Sequence, residues 1–132
     1  MFFMAFRSIP GFSFIGLGHT GNNSADGPLF LCDFSPEFGW VIRTGGASVF
    51  TAKSRLRNPT NQADDGVRMN DNTVGGTTET DLDWLSNGYK VRMAGGNIND
   101  TGVLYPVMLF AGNPFGGHGG TFGSGVAPAT AR

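Results

Sequence analysis

Apolar residues along this chain alternate with a period of two far more often than they fall at a helical spacing. Short apolar runs occupy residues 12–17 (FSFIGL), 28–34 (PLFLCDF), 39–44 (GWVIRT), 48–52 (SVFTA), 81–86 (DLDWLS), 89–93 (YKVRM) and 103–110 (VLYPVMLF). Turn-forming clusters separate them, among them GNNSADG, FSPEFG, TGG and NDNTVGG. No window carries an i, i+3, i+4, i+7 apolar stripe, because Gly or Pro interrupts too often. Short strands at this spacing predict an all-β fold, a compact β-sandwich or jelly-roll-like domain. Residues 1–15 read as an N-terminal arm or first strand, 16–112 as the β domain, and 113–132 as a Gly-rich C-terminal tail. The polar segment 58–80 reads as a long connection.

The sharpest local signal lies in LDWLSNGYKVRM. Asn87-Gly88 suits the two-residue loop of a type I′ turn, where both positions need φ > 0. That loop would set Trp84 opposite Val91 and Leu82 opposite Met93 on an apolar face. The other face, in solvent, would pair Asp83 with Arg92. Pro106, inside an otherwise buried-looking run, cannot donate a ladder hydrogen bond and marks a bulge or an edge strand.

Composition narrows the function classes. Among 132 residues there are 22 Gly and 7 Pro, and charged residues make up only 14 %. Nine Lys+Arg against ten Asp+Glu give a net charge of -1, which argues against nucleic acid as a partner. The apolar N-terminus lacks a basic leader and is interrupted by Arg7 and Pro10, so neither a signal peptide nor a membrane span is expected there. One cysteine, Cys32, excludes an internal disulfide framework and reads as a buried structural thiol.

Candidate chemistry is thin. Neither a P-loop, nor HExxH, nor GxSxG is present, and GLGHTGNN lacks the spacing of a dinucleotide loop. His19 and His118 stand alone in turn-like segments. Asp64-Asp65-Gly66 and Asn70-Asp71-Asn72 lack the order of a calcium loop and read as turn formers. Asp81 and Asp83 share a strand face and are the one carboxylate pair a hydrolase could use. No enzyme activity, cofactor or metal is expected. Trp40 and Trp84, in alternating apolar strands, read first as core.

Three stretches together resemble a known family. GLGHTGNNSADGPLFLCDFSPEFGWVIRTGG is similar to an opening in which a TGNG-type turn precedes a strand, then an F-x-P-x-[FW]-V-x-[IV]-[KR] strand. RLRNPTN resembles a central RNP segment. DLDWLSNGYKVR, then Asn99 to Gly102, Tyr105 to Ala111 and NPFGG…APATAR, is similar to an ending of the form LDFLSNGFK-x-R, YIYMAFAENPF and a terminal Ala-Arg. Pro106-Val107 and Gly112 depart from that pattern. The family comprises small β-rich domains in structural proteins of tailed bacteriophages, found alone or at the C-terminal ends of longer virion proteins.

The resemblance implies a virion component without enzymatic activity, assembled in the host cytoplasm. The expectation is a capsid decoration (cement) protein that contacts the major capsid protein or other virion proteins, with a homotrimer as its assembly. The Phe-rich arm (Phe2, Phe3, Phe6, Phe12 and Phe14) exceeds what so small a domain can bury, so it packs on its own sheet or crosses to a neighbouring subunit. Phe115 and Phe122 in the tail could lie along another chain by edge addition. The alternative function is a tail or head fibre module binding a host glycan through Trp40, Trp84 or Tyr89 beside the 58–80 connection.

Overall fold

The computed structural model describes residue 3 and residues 5–46, 50–57, 59–63, 66–69 and 82–112. Eight strands form in chain order: β1 (Ser13–Thr20), β2 (Leu29–Leu31), β3 (Pro36–Ile42), β4 (Phe50–Ser54), β5 (Val67–Arg68), β6 (Leu82–Leu85), β7 (Gly88–Val91) and β8 (Leu104–Ala111). Among the described residues there is no helix. Five strands make an antiparallel sheet ordered β1-β8-β3-β4-β5, and three make a second ordered β2-β7-β6. The fold is all-β, a two-sheet sandwich. The pairs β1·β8 and β2·β7 are nested, as when the ends of a jelly roll wind up together. Inside that wrapping, β3 pairs with β4 and β6 with β7, so the inner strands form hairpins instead of continuing the roll.

Alternation places the core. Tyr105, Val107 and Leu109 of β8 and Val41 of β3 point to one side of the large sheet. Leu82 and Trp84 of β6, Tyr89 and Val91 of β7, and Phe30 of β2 point back at them, with Ile98, Phe34 and Ala63 closing the ends. Each Val, Leu, Ile or Phe among them, fully buried, contributes roughly 1.5–3 kcal/mol.

All seven expected runs became strands, and the differences have local causes. The hairpin closes one pair earlier than expected: Leu85 pairs with Gly88, Trp84 with Tyr89 and Leu82 with Val91. The loop is therefore Ser86-Asn87, and Gly88 is the first residue of β7 instead of a turn residue. Moving each partner by two keeps the faces, so Trp84 stays inside. Gly88 sits where β2 crosses: a Cβ there would lie 2.0 Å from the Phe30 carbonyl oxygen. Asp83 still meets Arg92, diagonally, with Nε–Oδ2 at 2.6 Å. It is not on an open face, since its side chain is only 16 % exposed.

Pro106 lies in neither an edge strand nor a bulge of its own. β8 is central, and the bulge falls on the partner strand opposite, between Leu17 and His19. The intervening Gly18 passes so close that a Cβ would sit 2.5 Å from the Tyr105 carbonyl oxygen. Two segments expected to be turn or connection contribute to the large sheet. FSPEFG supplies the start of β3, and the 58–80 segment supplies β5.

Candidate interaction surface

β8 is apolar on both faces, β3 is apolar on the face that carries Phe38, Trp40 and Ile42, and only one face of the large sheet meets the core. With Gly39 and Val41 turned inward, Phe38, Trp40 and Ile42 are left on the outer side. Met108 and Phe110 join them from β8, one strand over. Phe38 stacks on its partner Phe110 with centroids 6.3 Å apart, and it meets Trp40 edge-on at 4.8 Å. Trp40 in turn is edge-on to Phe110 at 6.0 Å. Its indole Nε1–H donates to the Met69 sulfur at 2.7 Å. Phe6, Trp40, Ile42, Phe50, Met69 and Met108 line a cleft of about 190 Å³ on this face.

The arm folds back onto the same sheet. A bridge between Ile9 and Ser13 reverses the chain, and the Gly11 amide donates to Asp33 Oδ2 at 2.8 Å. Ser8 Oγ both accepts from the Ile15 amide and donates to the Ile15 carbonyl. Those bonds occupy part of the free edge of β1, the place where an unpaired strand would invite another chain. Phe6 lands on Phe110 with centroids 6.2 Å apart, yet remains 46 % exposed, and Phe3 is 81 % exposed.

The expected interface residues therefore separate. Phe3 and Phe6 are on the outer surface. Phe14 turns inward against Phe30 at 5.0 Å and belongs to the core packing, because its place in β1 puts it on the inner face. Phe12 is half-buried, and its carbonyl accepts the Ala111 amide. Phe2, Phe115 and Phe122 lie outside the described residues, as do Asp81, His118, Asp64-Asp65 and Asn70-Asp71-Asn72. Sequence reasoning missed Phe38, Ile42, Phe50, Met69, Met108 and Phe110 as part of this surface. For Met108 and Phe110 the available signal was that the VLYPVMLF run is apolar at both strand parities.

Polar side chains in the interior are engaged in holding loops. His19 Nε2–H donates to the Ile98 carbonyl at 2.7 Å, which fixes Nδ1 as the acceptor of the Tyr89 hydroxyl, also at 2.7 Å. The ring stacks on Tyr105, and burial holds its pKa below the ordinary value. Asn99, fully buried, takes the Asn22 amide on its carbonyl oxygen and donates to the Ser24 and Met93 carbonyls. Trp84 and Tyr89 are core residues. The Cys32 thiol donates to the Phe34 carbonyl, and burial raises its pKa, so it is a poor nucleophile at neutral pH.

A second, polar cleft of about 470 Å³ is lined by Ala25, Asn61, Gln62, Asp83 and Arg92. Arg92 is held there by Asp83, and Lys90 by Asp26 at 2.6 Å. No group of three or more His, Cys, Asp or Glu side chains is arranged to hold a metal among the described residues.

No curated protein and no solved structure matches this chain. A family match does take in the arm, both sheets and the outer aromatic face, running over residues 2–114. On that match the chain belongs to DUF7483, a family of domains of unknown function.

Proposed function

We propose that this protein is a structural component of a tailed-bacteriophage particle, a capsid decoration (cement) protein that stabilises the head shell. One observation carries the reading: the outer face of the large sheet is a cluster of four aromatic rings with an apolar cleft beside it, on a domain whose buried polar groups chiefly tie loops together. A surface of that kind suits packing against other protein. The likeness of the LDWLSNGYKVR and NPFGG…APATAR segments to endings of phage structural domains supplies the particle. The mechanism is mass action. A protein bound across neighbouring capsid subunits lowers the free energy of the assembled shell relative to its separated parts, by an amount that grows with the logarithm of its concentration over Kd. A homotrimer suits such a lattice position.

The fibre-module alternative needs aromatic platforms open to a sugar ring. Trp84 and Tyr89 are in the core, and Trp40 is flanked edge-on by Phe38 and Phe110. The deciding measurement is copy number per particle, by quantitative mass spectrometry of purified virions against the most abundant coat protein. A number comparable with the coat protein places the chain on the shell. A handful of copies moves it to a tail or vertex, and complete absence from virions ends the structural reading.

A further inference from the structure

We infer that copies of this chain associate through the N-terminal arm, with Phe3 of one copy filling the apolar cleft of the next. The inference rests on the self-assembly proposed above and supplies its contact. The cleft is walled by Trp40, Ile42, Phe50, Met69 and Met108, and Phe6 of its own arm completes the rim. Its volume of about 190 Å³ suits one aromatic ring, since an apolar cavity of about 150 Å³ already accepts benzene.

The same arm that forms the rim carries the ring that could fill it. Phe6 rests on Phe110, so the arm already contacts this face. Phe3, three residues earlier, is 81 % exposed and lies outside its own cleft. Phe3 is three residues from Phe6, a chain length of at most roughly 10 Å, about the separation of two stacked sheets. With Phe6 anchored at home, that length is enough for the ring of Phe3 to meet the facing sheet of a second copy. Downstream of Phe6 the chain is pinned by the Gly11–Asp33 and Ser8–Ile15 hydrogen bonds. The reach is thus set from a fixed base and does not need the arm to unfold. Two facing copies that exchange arms make a dimer, and a trimeric ring keeps the Phe3–cleft contact with the three outer faces turned toward one axis.

The test is analytical ultracentrifugation of the full chain, alone and in mixtures. Wild type should sediment as a closed oligomer at micromolar to millimolar concentration. Phe3→Asp and Met69→Asp should each weaken association at least tenfold, while at concentrations low enough that both are monomeric the thermal midpoint of Phe3→Asp equals the wild-type value, because Phe3 is exposed in the single chain. A one-to-one mixture of the two variants should recover a complex containing both, since the intact arm of the Met69→Asp copy meets the intact cleft of the Phe3→Asp copy. A monomeric wild type, an undiminished Phe3→Asp oligomer, or two folded variants that do not complement each other would each overturn the contact. Binding to phage heads separates this result from the wider function. A monomer that still binds heads refutes the arm contact alone, whereas an oligomer that ignores heads refutes the decoration role and leaves the arm contact standing.

Discussion

At Gly88 the demand for glycine comes both from the backbone and from a neighbouring strand. The backbone φ of +155° is one that residues with a side chain rarely adopt, and a Cβ would stand 2.0 Å from the Phe30 carbonyl oxygen and 3.0 Å from the Leu31 Cα, both backbone atoms of β2. Even Gly88→Ala should therefore force β2 off β7 and cost about 1–3 kcal/mol, read as a lower denaturation midpoint with an unchanged slope. Asn87→Gly, in the loop itself, should stay within about 0.5 kcal/mol. If the two substitutions cost the same, the crossing of β2 is not what fixes the glycine. That crossing was invisible in the sequence, where Asn-Gly reads first as a turn. Alternation, by contrast, was legible, and it survives the change of register because the partners moved by two.

His19 makes a second prediction at this scale. Its folded pKa lies below the ordinary 6.5, chiefly through burial. Below pH 6.5 the unfolded chain binds a proton that the folded chain declines, so stability is fully present above 6.5 and falls on acidification until the folded value is passed. The slope inside that window approaches 1.4 kcal/mol per pH unit. A thermal midpoint followed from pH 7.5 to 5 should drop, and His19→Gln should flatten the drop while leaving His118 in place. An unflattened profile would assign the acid sensitivity elsewhere. Asp26, whose pKa is lowered by its hydrogen bond with Lys90, loses its contribution only on further acidification, from the ordinary carboxylate value downward.

Among the elements, the free edge of β6 shows how a side chain stands in for a strand. Asn61 accepts the Trp84 amide on Oδ1 at 2.9 Å and donates Nδ2 to the Trp84 carbonyl at 3.0 Å. Two residues on, Ala63 makes a backbone bridge to Leu82. Asn61→Ala would leave both Trp84 backbone groups without these partners, at about 1–3 kcal/mol. Amide exchange at Trp84 should then accelerate ahead of that at Val107 in the central strand. Equal acceleration at both sites would show that the edge opens only with the whole domain. The segment that holds Asn61 reads in the sequence as a long polar connection. Its edge-capping role depends on which strand it passes, and its own composition does not encode that. β5, two residues long, is hidden for the same reason, since Val67–Arg68 gains meaning only from Thr51 and Ala52 beside it.

For the molecule as a whole, the two faces of β8 separate what holds the fold from what carries the outer aromatic surface. Leu109 and its inward neighbours lie in the sandwich, while Phe110 and Met108 carry the aromatic surface onto which the arm folds. The sandwich was readable from strand spacing. The surface was not, because an apolar run on both parities looks the same whether its second face meets a third layer or is left half-open. Truncation distinguishes the two. β1 begins at Ser13, the Ile9–Ser13 reversal precedes it and the Ser13 hydroxyl donates to the Arg7 carbonyl, so a deletion of residues 1–6 removes Phe3 and Phe6 and spares the strand. The isolated domain should then lose about 0.5–1.5 kcal/mol, the worth of the Phe6–Phe110 ring contact, while self-association is abolished. Leu109→Ala should show the reverse weighting, losing about 2–5 kcal/mol of folding stability with oligomerisation preserved wherever the chain remains folded. The two measurements are chemical denaturation and sedimentation of each variant. If deleting the arm costs as much folding stability as Leu109→Ala, the arm is a piece of the core, and the outer face exists to hold it.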